Sequence, residues 1–156
     1  MKSHNINIQY TELEVDELSG ELLKLYQSAK KASQTAYAPY SKFHVGSALL
    51  MDDKTVITGS NQENAAYPSG LCAERVALFF AGAHAPQSKV LVLMVYVPGV
   101  NRPAAPCGSC LQVMAETEDR QSNPFKVILA NDERVFMMND VQALLPFRFG
   151  KRNLLS

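Results

Sequence analysis

Hydrophobic side chains recur at helical spacing in the segment from Ser19 to Ala36. Its apolar positions, three and four residues apart, fall on one side of a helical projection, and lysines fall on the other. This pattern predicts an amphipathic helix that packs one face against the rest of the protein. Two further helices are predicted over Cys72 to Ala83 and Cys107 to Thr117, and Val141 to Leu145 is predicted to form a last helical turn.

Five segments have the composition of β-strands. Lys89 to Val97 is a nearly continuous β-branched and apolar run, as expected of a central strand covered on both faces. A polar turn, Asp52-Asp53-Lys54, separates two of the others and predicts a β-hairpin. The remaining strands are predicted over Val45 to Met51, Thr55 to Ser60, Phe125 to Ala130 and Arg134 to Met138. Because strands and helices alternate, we expect an α/β fold with helices on both faces of one sheet.

Length and composition fit a single domain spanning residues 1–156. The chain has 156 residues, of which 47% are hydrophobic and 19% charged, enough for one core. Its N-terminal stretch lacks the apolar segment of a signal peptide, and no run is long enough to span a bilayer. Fifteen basic and fifteen acidic residues are spread along the chain. Because nucleic-acid affinity depends on neutralising phosphates, this balance disfavours a polynucleotide and favours a small neutral ligand.

All three cysteines lie in two short motifs, Cys72-Ala73-Glu74 and Pro106-Cys107-Gly108-Ser109-Cys110. An odd number of cysteines in metal-ligand spacing suits a reducing cytosol better than a disulfide framework. Three thiolates can hold a tetrahedral zinc ion and leave its fourth position open, as catalytic zinc sites do. Glu74, two residues after the first ligand, would then face that position and could carry protons to and from a substrate. The motifs therefore predict a zinc site with hydrolytic chemistry.

Both motifs stand at predicted helix starts, which has an electrostatic reason. Three thiolates and one zinc ion carry a net negative charge, which the positive ends of two helix dipoles offset. Arg75 follows Glu74 directly and could add a full positive charge there.

Each motif also has a simpler interpretation. Pro-Cys-Gly-Ser-Cys alone could be a redox dithiol or half of a structural zinc knuckle. Cys72 alone could be a core residue, since a free cysteine packs as a small hydrophobe, and Glu74 could be a solvated carboxylate at a helix start. The third cysteine favours the metal site over these alternatives. His84, about a helix length after Cys72, is a poor candidate for a fourth ligand.

The two motifs resemble those of the small zinc-dependent cytidine deaminases. The resemblance extends through Ala36 to Gly46 and Gly59 to Leu71, and covers most of the chain from Ala36 to Gly150. It implies a three-layer α/β/α sandwich with a central mixed five-stranded sheet. It also implies one Zn²⁺ per chain and the conversion of cytidine and deoxycytidine to uridine and deoxyuridine, in pyrimidine salvage. A cytoplasmic homotetramer with sites shared between subunits is the expected assembly.

The resemblance also implies roles for individual residues. Glu74 would act as both base and acid, and Arg75 would compensate the thiolate charge. The residues expected to contact substrate are Asn61 and Glu63 at the ribose hydroxyls, Phe43 at the pyrimidine, the Ala73 backbone amide at the base edge, and Tyr67 and Phe149 in a pocket shared with a neighbouring subunit. Leu111 departs from the arginine that usually follows the last cysteine, which affects local charge or subunit contacts and leaves the ligands intact.

Two other functions stay open at this point. A related zinc deaminase could act on another aminated heterocycle, such as a modified nucleoside or a nucleoside antibiotic, although Asn61 and Glu63 favour a substrate with a sugar diol. A zinc-stabilised binding module without turnover is the non-enzymatic alternative. It has no need of the carboxylate at Glu74.

Overall fold

A computed structural model describes residues 1–154 of the chain. Leu155 and Ser156, which the predicted single domain includes, lie outside the described part, and the one-domain assignment stays a prediction. Within residues 1–154, six strands form one sheet: β1 (Thr11–Glu14), β2 (Gly46–Met51), β3 (Val56–Ser60), β4 (Val90–Tyr96), β5 (Lys126–Ala130) and β6 (Arg134–Met138). Their order across the sheet is β1-β6-β5-β4-β2-β3.

The sheet is mixed, as predicted. β4 and β5 run parallel, and the other neighbouring strands are antiparallel. The predicted hairpin is confirmed, because β2 pairs with β3 across the turn that contains Lys54. Lys54 adopts a left-handed backbone conformation with φ of 70° in this turn.

The expectation of five strands is wrong, because β1 adds a sixth at the edge of the sheet. β1 pairs only with β6, from Thr11 opposite Met137 to Glu14 opposite Arg134. Its side chains are largely exposed, and only Leu13 is partly buried. A four-residue edge strand held by backbone hydrogen bonds leaves little hydrophobic pattern in the sequence, so composition gave no signal for it.

Three helices cover the sheet: α1 (Gly20–Ser33), α2 (Ala73–His84) and α3 (Gly108–Gln121). The apolar face of α1, with Leu25 and Ala29, packs on one face of the sheet against Ala48 and Met94. α2 and α3 pack on the opposite face in a second core cluster, to which Met114 belongs. The three-layer α/β/α arrangement is therefore confirmed. The last predicted helical turn is a short 3₁₀ turn over Val141–Ala143.

The close approach of α2 to β3 places the start of α2 against the sheet. A Cβ added at Gly59 would lie 2.5 Å from the carbonyl oxygen of Ala73 and 2.7 Å from the backbone nitrogen of Ala77. A glycine at this position therefore allows the helix backbone to rest on the strand. Among residues 1–154, no helix has the length and apolar character needed to cross a membrane.

Candidate metal and active site

The three cysteines meet where α2 and α3 begin. Cys72 and Cys107 occupy the N-cap positions of α2 and α3, and Cys110 lies in the first turn of α3. The Sγ atoms of Cys72 and Cys107 are 3.7 Å apart, and those of Cys107 and Cys110 are 3.6 Å apart. All three sulfurs lie within 4.8 Å of one another. Residues from two distant motifs therefore form one cluster.

The spacing of the sulfurs fits a tetrahedral zinc ion. With zinc–sulfur bonds of about 2.3 Å, two thiolates on adjacent corners of a tetrahedron are separated by about 3.8 Å. The two short sulfur separations lie close to that value. Three sulfur ligands would leave the fourth corner of a bound zinc ion for a water molecule or a substrate atom. Cys72, Cys107 and Cys110 are positioned to bind the zinc ion that the sequence predicts.

Glu74 lies beside this cluster and is almost entirely buried, with a relative exposure of 4%. Burial raises the pKa of its carboxyl group above the usual range, and the negative charge of Cys72 raises it further. Because burial disfavours the charged form, the carboxyl group can hold a proton at a higher pH than a carboxyl group in water. The interpretation of Glu74 as a solvated helix-terminus residue is therefore wrong.

Arg75 faces the cluster from the next position of α2. Its Nη2 atom lies 3.8 Å from the sulfur of Cys72 and donates to the carbonyl oxygen of Gly70 at 3.4 Å. The pKa of the Cys72 thiol is lowered chiefly by a hydrogen bond with Cys110, and Arg75 lowers it further. The pKa of Cys110 is raised because it shares that hydrogen bond and is buried. A cation thus stands against the thiolate, as expected for charge compensation.

An open cleft of about 490 Å³ leads to Cys72. Its lining includes three residues that the sequence predicted for substrate contacts, Asn61, Glu63 and Tyr67, together with Arg75. The cleft therefore joins the metal cluster to the polar residues of the Gly59 to Leu71 segment.

The side chain of Asn61 is engaged with the loop that carries Phe43. Its Oδ1 atom accepts a hydrogen bond from the backbone N–H of Val45 at 2.8 Å, and its Nδ2 atom donates to the carbonyl oxygen of Phe43 at 2.8 Å. One Nδ2 hydrogen stays available for a ligand. Asn61 therefore shapes the wall of the cleft, a role that the sequence did not indicate.

Glu63 also binds this loop. Its Oε2 atom accepts hydrogen bonds from the backbone N–H groups of Tyr40 at 2.9 Å and Ser41 at 3.3 Å. The Ser41 hydroxyl and the Tyr40 N–H lower the pKa of the Glu63 carboxyl group. Tyr40 and Ser41 also line the cleft. The sequence motifs gave no signal for this contact of Tyr40 and Ser41, although both residues lie in the Ala36 to Gly46 segment that carries the resemblance.

Of the other residues predicted to contact substrate, some lie at the cleft and others lie away from it. Tyr67 projects from the cleft with an exposure of 79%. Ala73, the residue after Cys72, is buried at the first position of α2. Phe43 is exposed on the loop held by Asn61 and is not among the residues that line the cleft. Phe149 is exposed and lies against α3, where its carbonyl oxygen accepts a hydrogen bond from Gln112. One chain therefore does not bring Phe149 to its own cleft.

Leu111 is partly buried and packs against the hydrophobic core between the sheet, α2 and α3. An apolar side chain therefore fills this position next to Cys110. His84 lies at the far end of α2, where its ring stacks on Phe80. Among the described residues, the cluster that could hold a metal ion does not include His84.

Comparison with known proteins agrees with this geometry. Residues 20–123 match the family model of the cytidine and deoxycytidylate deaminase zinc-binding region. The chain is 43% identical to a cytidine deaminase of Halalkalibacterium halodurans over 130 residues, which is 83% of this chain and 95% of the relative. It is 42% identical to a cytidine deaminase of Sporosarcina psychrophila over 132 residues, 84% of this chain and 93% of the relative.

Solved structures give the same result. The crystal structure of a cytidine deaminase from Burkholderia pseudomallei superposes with a TM-score of 0.70 at 40% identity, covering 81% of this chain and 98% of that one. A cytidine deaminase from Mycobacterium tuberculosis superposes with a TM-score of 0.64 at 31% identity, covering 85% and 99%. With the motifs, the sulfur cluster and the fold in agreement, this chain belongs to the cytidine and deoxycytidylate deaminase family.

Proposed function

We propose that this chain catalyses the hydrolytic deamination of cytidine and deoxycytidine, giving uridine or deoxyuridine and ammonia, as a step of pyrimidine salvage. The observation that carries the proposal is the position of Glu74, a buried carboxyl group with a raised pKa beside a cluster of three cysteine sulfurs, of which Cys72 lines an open cleft. A structural zinc site has no need of such a carboxyl group. The names of the relatives support the choice of substrate.

The sulfur cluster supplies the metal chemistry. Zinc bound by Cys72, Cys107 and Cys110, one ion per chain, would lower the pKa of a water in its fourth position toward neutrality and make it nucleophilic. The protein's part is to hold three sulfurs at tetrahedral spacing and to offset their charge. Arg75 and the starts of α2 and α3 contribute that offset.

Glu74 moves the protons of the reaction. Its carboxylate accepts a proton from the attacking water and delivers it to ring N3 as C4 of the cytosine becomes tetrahedral. It then takes the proton of the new C4 hydroxyl as the carbonyl forms and gives it to the departing amino group, so that ammonia leaves. One group can serve as both base and acid when its pKa lies nearer to neutrality than in water, and burial shifts Glu74 in that direction.

Backbone N–H groups at the helix starts orient the base. The first N–H groups of a helix have no partner within the helix, so they can donate to a ligand. Ala73 is the first residue of α2, and Cys107 precedes the first residue of α3. Their N–H groups are the candidates for hydrogen bonds with the edge of the pyrimidine.

Asn61 and Glu63 bind the sugar. Both line the cleft, and both are fixed in place by hydrogen bonds to the Tyr40 to Val45 loop. Those bonds use the Oε2 atom of Glu63, which leaves Oε1 for a hydroxyl of the sugar. The remaining Nδ2 hydrogen of Asn61 can be donated in a hydrogen bond to a second hydroxyl of the sugar.

Aromatic residues complete the site, in part from a neighbouring subunit. From the family resemblance, Phe43 would pack against the pyrimidine, although it is not among the residues that line the cleft of this chain, and Tyr67 stands exposed at the cleft. Phe149, which lies away from its own cleft with an exposure of 57%, reaches the cleft of a second copy. On the family resemblance, we propose a homotetramer with shared sites. Its balanced charge suits an enzyme that does not bind nucleic-acid polymers. Its three free cysteines in metal-ligand spacing suit the cytoplasm.

The test is turnover of cytidine by purified protein of known zinc content, measured beside Glu74→Gln. We expect the wild-type protein to form uridine, and Glu74→Gln to retain zinc and lose turnover. Glu116→Gln, the same substitution at an exposed position of α3, is the matched control and should leave turnover unchanged. Wild-type protein that holds zinc but leaves cytidine and deoxycytidine intact would contradict the proposal.

A further inference from the structure

The C-terminal segment that follows the Val141–Ala143 turn is fastened to α3 by side chains. Gln112 Nε2 donates to the carbonyl oxygen of Phe149 at 2.9 Å. Arg148 donates from Nη1 to Glu118 Oε2 at 2.6 Å and from Nη2 to Asp119 Oδ1 at 3.0 Å. The guanidinium thus bridges two adjacent carboxylates near the end of α3. The segment is attached to a helix whose other end carries Cys107 and Cys110.

The carboxylate of Glu118 is held in place by groups other than Arg148. Its side chain is 6% exposed, and its Oε1 atom accepts hydrogen bonds from the backbone N–H groups of Phe125 at 3.3 Å and Val141 at 3.1 Å. These bonds fix the carboxylate relative to the strand β5 and to the 3₁₀ turn. Because a buried carboxylate needs a partner, the interaction with Arg148 sets the path of the segment in one position.

The attachment of Arg148 determines where its neighbours point. Its side chain is directed inward to α3, whereas Phe147 and Phe149 on either side are 86% and 57% exposed. Two large aromatic side chains presented to solvent on a fixed segment are typical of a contact surface. Neither belongs to the lining of this chain's own cleft. The cleft, in turn, carries the exposed rings of Tyr40 and Tyr67.

We propose that Arg148 is a positioning residue that acts on the cleft of a second copy of this chain. By bridging Glu118 and Asp119, it holds Phe147 and Phe149 in the orientation in which they enter the neighbouring site. The inference rests on the proposed function, in which Phe149 completes that site, and it adds the residues that fix the aromatic pair. Arg148 itself does not touch substrate.

The first measurement compares Arg148→Met with the wild-type protein for turnover of cytidine. We expect KM to rise about three- to tenfold with kcat within about twofold, since the loss of one ordered aromatic contact corresponds to that range. Zinc content should stay at one ion per chain. Arg134→Met, which removes the guanidinium of an exposed pair with Glu12, is the matched control and should leave KM unchanged.

A second variant distinguishes a loss of positioning from a folding defect. Arg148→Met leaves the Glu118 carboxylate buried without its cation, so Arg148→Met/Glu118→Gln removes that charge while keeping an amide oxygen to accept from Phe125 and Val141. The double variant should fold and show the same rise in KM. A folded double variant with wild-type KM would overturn the inference.

The decisive measurement tests action between subunits. Arg148→Met and Glu74→Gln chains are co-expressed with different affinity tags, and mixed oligomers are purified through both. Clefts of Arg148→Met chains that face the intact C-terminal segment of a Glu74→Gln chain should regain the wild-type KM. Mixed oligomers that keep the raised KM, or a wild-type protein that is active as a monomer, would overturn the inference and leave the deaminase proposal standing. Wild-type protein without turnover would contradict the proposed function itself, and the inference with it.

Discussion

The side-chain amide of Asn61 donates to the carbonyl oxygen of Phe43 at 2.8 Å, while its oxygen accepts from the backbone N–H of Val45. A residue predicted to bind the sugar thus also holds the loop that carries the predicted stacking residue. The two roles are coupled, because the position of Phe43 depends on Asn61.

Asn61→Ala should therefore affect stability as well as substrate affinity. The substitution leaves the N–H of Val45 and the carbonyl of Phe43 without partners, and we expect a loss of about 1–3 kcal/mol in the free energy of unfolding together with a raised KM. Urea unfolding and cytidine kinetics measure the two effects. Asn101→Ala, the same substitution at an exposed position outside the cleft lining, is the control. An equal loss of stability in both variants would contradict the special role of Asn61.

The zinc site makes a prediction about metal content. Cys110 is buried within the sulfur cluster, so Cys110→Ala should lower zinc affinity and abolish turnover, whereas the wild-type protein should hold one zinc ion per chain. Zinc that binds only the folded state also stabilises it, so a chelator should lower the melting temperature of the wild-type protein. The Cys110→Ala variant should respond much less to the chelator. An equal response in the two proteins would place the zinc elsewhere.

The sequence predicted the central part of the fold for a physical reason. Buried strands such as Val90–Tyr96 and the amphipathic helix Gly20–Ser33 carry strong hydrophobic patterns, because one or both of their faces are covered. The edge strand Thr11–Glu14 carries almost none, since backbone hydrogen bonds hold it and its side chains face water. This is why five strands were expected and six are present.

The candidate site likewise contains residues that the sequence reveals and contacts that it does not. All three cysteines of the chain lie in two short motifs with metal-ligand spacing, so Cys72, Cys107 and Cys110 could be found from the sequence alone. The hydrogen bonds of Tyr40 and Ser41 to Glu63 join backbone groups to a side chain 22 or more residues away. Almost all residue types have a backbone N–H group, so no sequence pattern predicts such a contact.

Gly59 gives a prediction that links the fold to the site. The Cβ of Gly59→Ala would lie 2.5 Å from the carbonyl oxygen of Ala73, so α2 would have to move, and Cys72 and Glu74 with it. We expect a loss of about 1–3 kcal/mol in the free energy of unfolding, with reduced kcat and zinc content. Urea unfolding, zinc analysis and kinetics test this. At Gly108, an added Cβ meets no atom within 4 Å, so Gly108→Ala should keep the stability of the wild-type protein.

Asp132 gives a prediction about pH. Hydrogen bonds from the Tyr96 hydroxyl, the Gly99 N–H and Lys30 lower the pKa of the Asp132 carboxyl group to about 2. The usual pKa of an aspartate in an unfolded chain is about 3.9. A carboxyl group with a lowered pKa in the folded state contributes stability that is fully present above the unfolded pKa. That contribution is lost as the pH falls from about 4 to about 2.

Asp132→Asn should therefore be less stable than the wild-type protein at pH 7, and the difference in urea midpoint should shrink as the pH falls from about 4 toward 2. The effect is modest because the Lys30–Asp132 pair is nearly half exposed and solvent screens it. Asp16→Asn, at another exposed position, is the control and should follow the wild-type profile. A difference in urea midpoint between Asp132→Asn and wild type that stays constant from pH 7 to 2 would contradict this prediction. It would show that the stability contributed by Asp132 does not depend on its ionisation.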